Sequence, residues 1–507
     1  MHLKLRQAVI AAAGTLLLTT GLNAMADSTT DIVNALISKG VLTEEEGALI
    51  TRGRTDEVDV QKKKEKKYST SKVNIRGYVQ TRNTTMLDGD EGINLFSDRS
   101  VGDDRSLGGG DKNFLIRRAR IIVYGDVGDR LSYYIQPDFA SSPSGAASNG
   151  HNFAQLRDAY GDIYLTKDKV HRIRVGQSKV PYGFENLQSS NARLALDRAD
   201  SFNSAVKDER DLGAFYYYTP ENIQGLFKEI GDAGLKHSGN YGMLALGAYN
   251  GQGANQRDTN DNYHVVARAT YPWKTSSGQI YEVGIQGYTG NYSVTPEGYR
   301  TQLNRAQTLA LNSTQLPVAA SLNGLNPAIP VGCATVVTAP QNAAGVRSTC
   351  TPRISDKDRN GIKDERIGVS FMMYPQPFGL QGEWNWGKTP GLDINTNTIK
   401  ETNLNGGYVQ AMYMLKDWHN WGTFIPFVKY QYFDGANKAE SNAAKNNVND
   451  WEAGVEWQIA PEVELTAYYH RMKRTNLVRG ASNTTLVKED YDTFNADALR
   501  VQLQYNF

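Results

Sequence analysis

The chain has 507 residues, with 55 Lys and Arg against 54 Asp and Glu and a formal net charge of +1. That balance gives no electrostatic case for nucleic acid or for a strongly acidic partner. After the N-terminal region no segment has the roughly 18 consecutive apolar residues of a membrane helix, which excludes a helical membrane protein.

Residues 1–26 read as a secretion signal. Lys4 and Arg6 supply the positive end, Ala8 to Leu22 the short apolar stretch, and Ala24-Met25-Ala26 the A-x-A cleavage site. Residues 27–67 come next as a short helical periplasmic segment and a charged linker. Ile32, Val33, Leu36 and Ile37 have helical spacing, Gly40 breaks the run, and Thr43 with Glu46 forms a capping box for a second helix. This piece reads equally as an oligomerisation or tethering element and as a surface extension.

From residue 68 onward the pattern changes to period two. Strands are expected at Lys72–Arg82, Phe114–Asp126, Arg130–Ala140, Gln155–Thr166, Val170–Val180, Asp211–Thr219, Tyr241–Asn250 and Tyr263–Trp273. Eight more follow at Ile280–Tyr288, Arg366–Tyr374, Phe378–Gly387, Gly406–Lys416, Phe424–Phe433, Trp451–Ala460, Glu462–Arg471 and Asp497–Phe507. The last is the clearest. Leu499, Val501, Leu503, Tyr505 and Phe507 share one face, and Arg500, Gln502, Gln504 and Asn506 the other, as a strand between lipid and water requires. With 28 Tyr and 48 Gly and an even strand count, the reading is an all-β, 16-stranded antiparallel transmembrane barrel of the bacterial outer membrane.

The connections support this. Tight turns at 125–129, 167–169, 375–377 and 460–462 alternate with long polar loops at Leu87–Asn113, Pro181–Arg210, Asn291–Glu365 and Lys473–Ala496. Short on one rim and long on the other places both ends of the barrel on the periplasmic side. Pro220–Asn240 breaks the rule, being long where a short turn is due. In the longest loop Cys333 and Cys350 predict a disulfide in an oxidising compartment, worth about 3 kcal/mol in the chain-entropy treatment. Asp356, Asp358, Asn360 and Asp364 around Gly361 have the oxygen-ligand spacing of a calcium loop, although Ile367 stands where a bidentate Glu is expected; a structural calcium and a solvated acidic turn are the two readings. No other cofactor is implied.

Three stretches carry a family resemblance: Asn113-Phe114-Leu115-Ile116-Arg117-Arg118-Ala119-Arg120, then Val175 through Val180-Pro181-Tyr182-Gly183-Phe184-Glu185, then Glu209-Arg210-Asp211-Leu212-Gly213. On these the chain resembles the phosphate-selective porin O and P family. The resemblance implies a barrel that is usually a homotrimer, with the third long loop, Pro181–Arg210, folded inward as the constriction. It places the family's arginine pair on Arg117 and Arg118, its strand aspartate on Asp158, its loop serines on Ser189 and Ser190, and a nearby arginine on Arg198. It also shows a departure: Asn186 stands where phosphate-specific members carry lysine, with Lys179 and Arg120 as candidates to replace that charge.

The chemistry expected of such a pore is a set of cationic donors that replace the water an oxyanion sheds; Arg suits phosphate because its planar fork donates two hydrogen bonds together. Arg117, Arg118, Arg120, Arg172, Arg174, Arg193, Arg198 and Arg210 are the pore-side candidates. Arg117 and Arg118 are neighbours on one strand, so both can face the lumen only across a bulge. Asp138, Asp162, Glu383 and Glu456 on other polar faces offset part of the positive charge. The leading function is passive diffusion of small anionic solutes, with phosphate and polyphosphate as candidates. A general or differently selective porin, or a non-transport barrel built for adhesion or structure, is the alternative. Neither G-x-S-x-G nor H-E-x-x-H occurs, and the seven His are scattered singly, which argues against an enzyme.

Overall fold

The computed structural model describes residues 33–50, 52, 72–90, 92–95, 98, 112–141, 153–300, 333–341, 345–477 and 491–507. The chain divides into two compact units, Met1–Ser71 and Lys72–Phe507. In the first, helices cover 33–38 and 44–50, separated at Gly40 with φ +70°. The capping box is formed: the Thr43 amide and hydroxyl donate to Glu46 Oε2 at 2.9 and 2.8 Å, and the Glu46 amide donates to Thr43 Oγ1 at 3.2 Å. The signal sequence and the linker lie outside the described residues.

The second unit is the barrel. Its strands are β1 (Lys72–Gly89), β2 (Lys112–Val127), β3 (Leu131–Ser141), β4 (Phe153–Tyr164), β5 (His171–Lys179), β6 (Arg210–Tyr218), β7 (Leu244–Tyr249) and β8 (His264–Lys274). They continue with β9 (Ile280–Tyr292), β10 (Ile362–Met373), β11 (Phe378–Asp393), β12 (Thr398–Tyr413), β13 (Thr423–Asp434), β14 (Asn447–Ala460), β15 (Val463–Leu477) and β16 (Tyr491–Asn506). Each pairs antiparallel with its neighbour in sequence, and β1 closes on β16 from Tyr78↔Asn506 to Gly89↔Ala496. The closed antiparallel barrel of 16 strands is as expected. Closure satisfies the ladder of every strand, which a hydrocarbon surrounding demands.

On β16 the alternation resolves as lipid against lumen. Leu499, Leu503 and Tyr505 are 43, 41 and 44% exposed, whereas Arg500, Gln502 and Gln504 are 0, 5 and 3% exposed. Near the short-turn rim Trp273 stacks on Tyr281 with centroids 5.3 Å apart and Phe424 on Trp457 at 5.4 Å, an interfacial aromatic belt.

Two expectations needed revision, and one exception found its reason. Strands β11 and β12 run further than predicted, pairing to Asp393↔Thr398, so a tight turn joins them on the long-loop rim. The longest loop carries a hairpin of its own, Cys333–Gln341 with Gly345–Ile354; the cysteine side chains, and so their disulfide, lie outside the described residues. The exceptional connection between β6 and β7 is long because it contains a helix, Glu221–Asp232, with Ile223, Phe227 and Ile230 buried on one side.

Candidate functional site

The segment between β5 and β6 turns into the barrel. Gly183, at φ +82°, sits where an added Cβ would meet Phe202 Cδ1 at 2.8 Å, so the bend suits glycine alone. Two short helices follow, Phe184–Leu187 and Asp200–Asn203. The loop is then fastened to several walls. The Glu185 amide donates to Glu383 Oε2 on β11 at 3.1 Å, and Lys429 on β13 pairs with Glu185 at 2.5 Å. Arg366 on β10 donates to the Ser201 carbonyl at 2.7 Å, and Arg474 on β15 pairs with Asp200 at 2.6 Å. Asp197 lies between Arg82 on β1 at 3.2 Å and Arg500 on β16 at 2.7 Å. Phe184, Leu194 and Leu196 pack with lumen-facing Met412 and Phe427 in one apolar cluster. This is the inward-folded constriction loop that the sequence led us to expect.

The bulge required at Arg117 is present. Gln80 pairs with Arg118 and Thr81 with Ile116, leaving Arg117 as the extra residue on β2. Ile116 stays exposed to the outside while Arg118 and Arg120 are buried inside, and Arg117 lies within electrostatic reach of Asp98, Arg82 and Asp197.

Most of the lumen arginines are neutralised. Arg120 pairs with Asp138 at 2.7 Å and donates to Tyr78 Oη at 2.8 Å. Arg174 and Arg172 share Asp162, at 2.7 and 3.5 Å. Arg210 pairs with Asp158 at 2.9 Å and Glu209 at 2.7 Å, while Arg198 also pairs with Glu209. In the loop, burial opposes the Glu209 charge, but Arg198, Arg210 and Arg157 outweigh it and hold the carboxyl well below its ordinary range. Burial, and then the neighbouring Arg193 charge, lower the Arg198 guanidinium to about 9, with Glu209 opposing them.

Among the described residues three buried lumen arginines have no such partner: Arg366, whose Nη1 and Nη2 are spent on the Ser201 and Ser204 carbonyls and the Ser204 hydroxyl, and the two nearer the loop tip, Arg118 and Arg193. Arg118 donates to Gln80 Oε1 at 2.8 Å, and Arg193 to the Leu196 carbonyl at 3.1 Å; among the described residues neither has a carboxylate within ion-pairing distance. Nε of Arg118 and both Nε and Nη1 of Arg193 are buried donors without an acceptor. The charges that bear most on Arg118 are Arg117, Arg120, Arg193 and Arg82, all cationic. Gln80 links Arg118 to the loop tip, donating to the Ser190 carbonyl at 3.0 Å, and also donates to Gln504 Oε1 on β16 at 2.6 Å; Ser189, beside Ser190, is exposed.

The expected residues therefore separate. Arg118 and Ser190 come together through Gln80, with Arg117 beside Arg118 in the bulge and Ser189 adjoining Ser190. Asp158 and Arg210 form a second group with Arg198. Lys179 lies under the loop, its ammonium donating to the carbonyls of Leu187 and Gln188 at 2.8 Å each. Asn186 is 1% exposed and donates to the Phe202 carbonyl at 2.8 Å, so it serves the loop's own fold. Arg120 is committed to Asp138. Gln80 was not anticipated, and nothing in an isolated glutamine marks it. Of the calcium set, Asp364 faces the lumen and binds Lys438 and His264, whereas Asp356 pairs with Arg359 at 2.8 Å on the exposed turn. Among the described residues no acidic cluster able to hold a metal forms there, because strand pairing turns Asp364 away from the turn.

A family model described as phosphate-selective porin O and P matches residues 96–507. No curated protein matches the chain. Among solved structures, the outer membrane channel DcaP of Acinetobacter baumannii is 14% identical, with 86% of this chain and 97% of that one covered and a TM-score of 0.46. OmpF of Salmonella typhi, in complex with daunomycin, is 12% identical with 87% and 98% covered and a TM-score of 0.46. An anion-selective porin from Comamonas acidovorans is 11% identical with 86% and 99% covered and a TM-score of 0.43. The match over most of the barrel, with the closed barrel and its inward loop, establishes that this chain belongs to the phosphate-selective porin O and P family and is an outer-membrane porin.

Proposed function

We propose that this anion-preferring porin carries small oxyanions, inorganic phosphate among them, past a site built from Arg118 and Arg193. One observation carries the reading: these two buried lumen arginines keep donors free and have no carboxylate partner among the described residues. An oxyanion arriving there supplies the missing acceptors and the missing negative charge together. The carboxylates that cancel the surrounding arginines keep the site from becoming a trap, since conduction needs binding weak enough to release. Arg117, Ser189 and Ser190 flank the path, and Lys179 supports the loop from behind in place of a charge at position 186. The homotrimer is inferred from the family resemblance.

The test is single-channel conductance in planar bilayers in chloride, with phosphate titrated in and the reversal potential recorded across a salt gradient. Anion selectivity with phosphate block at low concentration supports the reading. Weak selectivity without block leaves a general porin. Light scattering in detergent reports the assembly.

A further inference from the structure

The connection between β6 and β7 does more than turn the chain. Its helix, Glu221–Asp232, lies at the short-turn rim, where Lys274 on β8 pairs with Glu229 at 2.5 Å and Gln224 donates to the Asp168 carbonyl at 3.1 Å. The chain then enters the lumen. Leu235, Lys236 and Ser238 are buried, and Gln188 of the constriction loop donates to the Lys236 carbonyl at 2.6 Å. The Lys236 ammonium reaches Glu456 on β14, while Arg172 on β5 donates to the Asn240 carbonyl at 2.5 Å. β5 and β14 lie on roughly opposite sides of the barrel ring, so this short stretch crosses the bore.

What it covers is dry. Ile223, Phe227, Ile230 and Leu235 join Met412 on β12 and Phe427 on β13 in the cluster that also holds the constriction loop. On β11 to β13 the lumen-facing Gln381, Glu383, Gln410 and Lys429 are at most 4% exposed. The opposite wall is open near the short-turn rim. Ser132, Tyr134, Tyr160 and Arg172 are half-buried and Arg76 is exposed there, while Gln136, Asp138, Asp162 and Arg174 on the same wall are buried; the Tyr134 and Tyr160 rings stack at 5.2 Å.

We propose that the stretch from Thr219 to Met243 is a strap that seals the β9–β13 side of the barrel, so that solute leaves only along the wall formed by β1 to β5. The apolar cluster holds the strap in place, and the Lys236–Glu456 pair fixes its far end. Solute passing the constriction then meets an exit lined by tyrosine hydroxyls and by Arg76 and Arg172. Asp162, buried on that wall, pairs with Arg172 and with the buried Arg174.

The test is thiol access in the full chain with Cys333→Ser and Cys350→Ser, using a water-soluble charged thiol reagent on porin inserted in vesicles. Tyr134→Cys should react at least about tenfold faster than Met412→Cys, because attack needs a solvated thiolate. Its labelling should also lower single-channel conductance. Ser132→Cys, a smaller change on the same wall, gives the same reading if Tyr134→Cys does not fold. Equal reactivity on the two walls overturns the proposal. Removal of Glu221–Gly239 should make Met412→Cys reactive, as should Phe227→Ala with Ile230→Ala if the deletion does not assemble. Continued protection of Met412→Cys in a folded strapless barrel would show that something other than the strap seals that side. These readouts do not depend on which anion the porin carries, so they stand apart from phosphate block.

Discussion

Arg474 on β15 and Asp200 in the constriction loop form a 2.6 Å ion pair with both side chains almost fully buried. Arg474 also donates through Nε to Asp450 at 3.0 Å, and His470 lies 3.1 Å from the same carboxylate. One guanidinium thus ties a loop to the wall it crosses. Arg474→Gln removes the cation and leaves Asp200 unpaired, a change of the kind that costs about 3–5 kcal/mol when a buried pair is broken. The expected result is a noisier channel of higher conductance in a barrel that still shows the heat-shifted mobility of a folded porin. Quiet, wild-type recordings would mean that the other anchors hold the loop unaided.

Arg118 and Arg120 lie on the same strand and face the same lumen, yet they predict different phenotypes. Arg118→Gln removes a charge that no carboxylate offsets, and the lost interaction is a charge-assisted hydrogen bond worth roughly 1.5–3 kcal/mol. Phosphate block should weaken about tenfold or more by that figure, and anion selectivity should fall. Arg193→Gln should behave alike, and the double variant should lose less than the sum, because the two act on one ion. Arg120→Gln leaves Asp138 without its partner, so it should lower stability in thermal unfolding more than it weakens block.

Restoring a lysine at position 186 should not restore phosphate specificity. Asn186 is buried against the Phe202 carbonyl, and Asn186→Lys would exchange that bond for a buried ammonium. A lowered unfolding temperature with an unchanged reversal potential is the expected outcome. A sharp gain in phosphate block at unchanged stability would show that the side chain can swing into the path.

In the N-terminal unit, the backbone hydrogen bond from Thr43, followed by that from its hydroxyl, holds the Glu46 carboxyl below its ordinary range. A depressed carboxyl favours the folded helix at pH above the unfolded value, and the benefit is lost as pH falls through the folded one. Hydrogen exchange at the Glu46 amide, corrected for intrinsic rates, should therefore accelerate in wild type as pH drops below about 4. In Glu46→Gln it should show no such pH-dependent step.

Much of this barrel could be read from its residues. Period-two patterning marks each strand because lipid and water impose opposite demands on successive side chains, and the adjacent Arg117 and Arg118 announced a bulge because mid-depth lipid excludes arginine. The inward loop was legible through family likeness. What remained hidden depends on proximity across the bore. Nothing local says that Asp138 cancels Arg120 while Arg118 stays uncancelled, or that Gln80 bridges Arg118 to Ser190. The strap carried a local signal, the helical spacing of Ile223, Phe227 and Ile230, but its destination inside the lumen did not. The acidic run at 356–364 shows how one spacing carries two readings, since the strand that begins at Ile362 takes Asp364 to Lys438 while Asp356 stays on the exposed turn.

The bulge on β2 has an evolutionary corollary. Ile116 faces outward and Arg118 inward, so deleting Arg117 would join them in ordinary alternation without moving either to the wrong medium. The strand would lose one cation and keep its lipid-facing stripe. An in-frame change of a single codon could thus raise or lower the charge of the bore while the rest of the barrel remained unaltered, which makes selectivity in this lineage easier to alter than architecture.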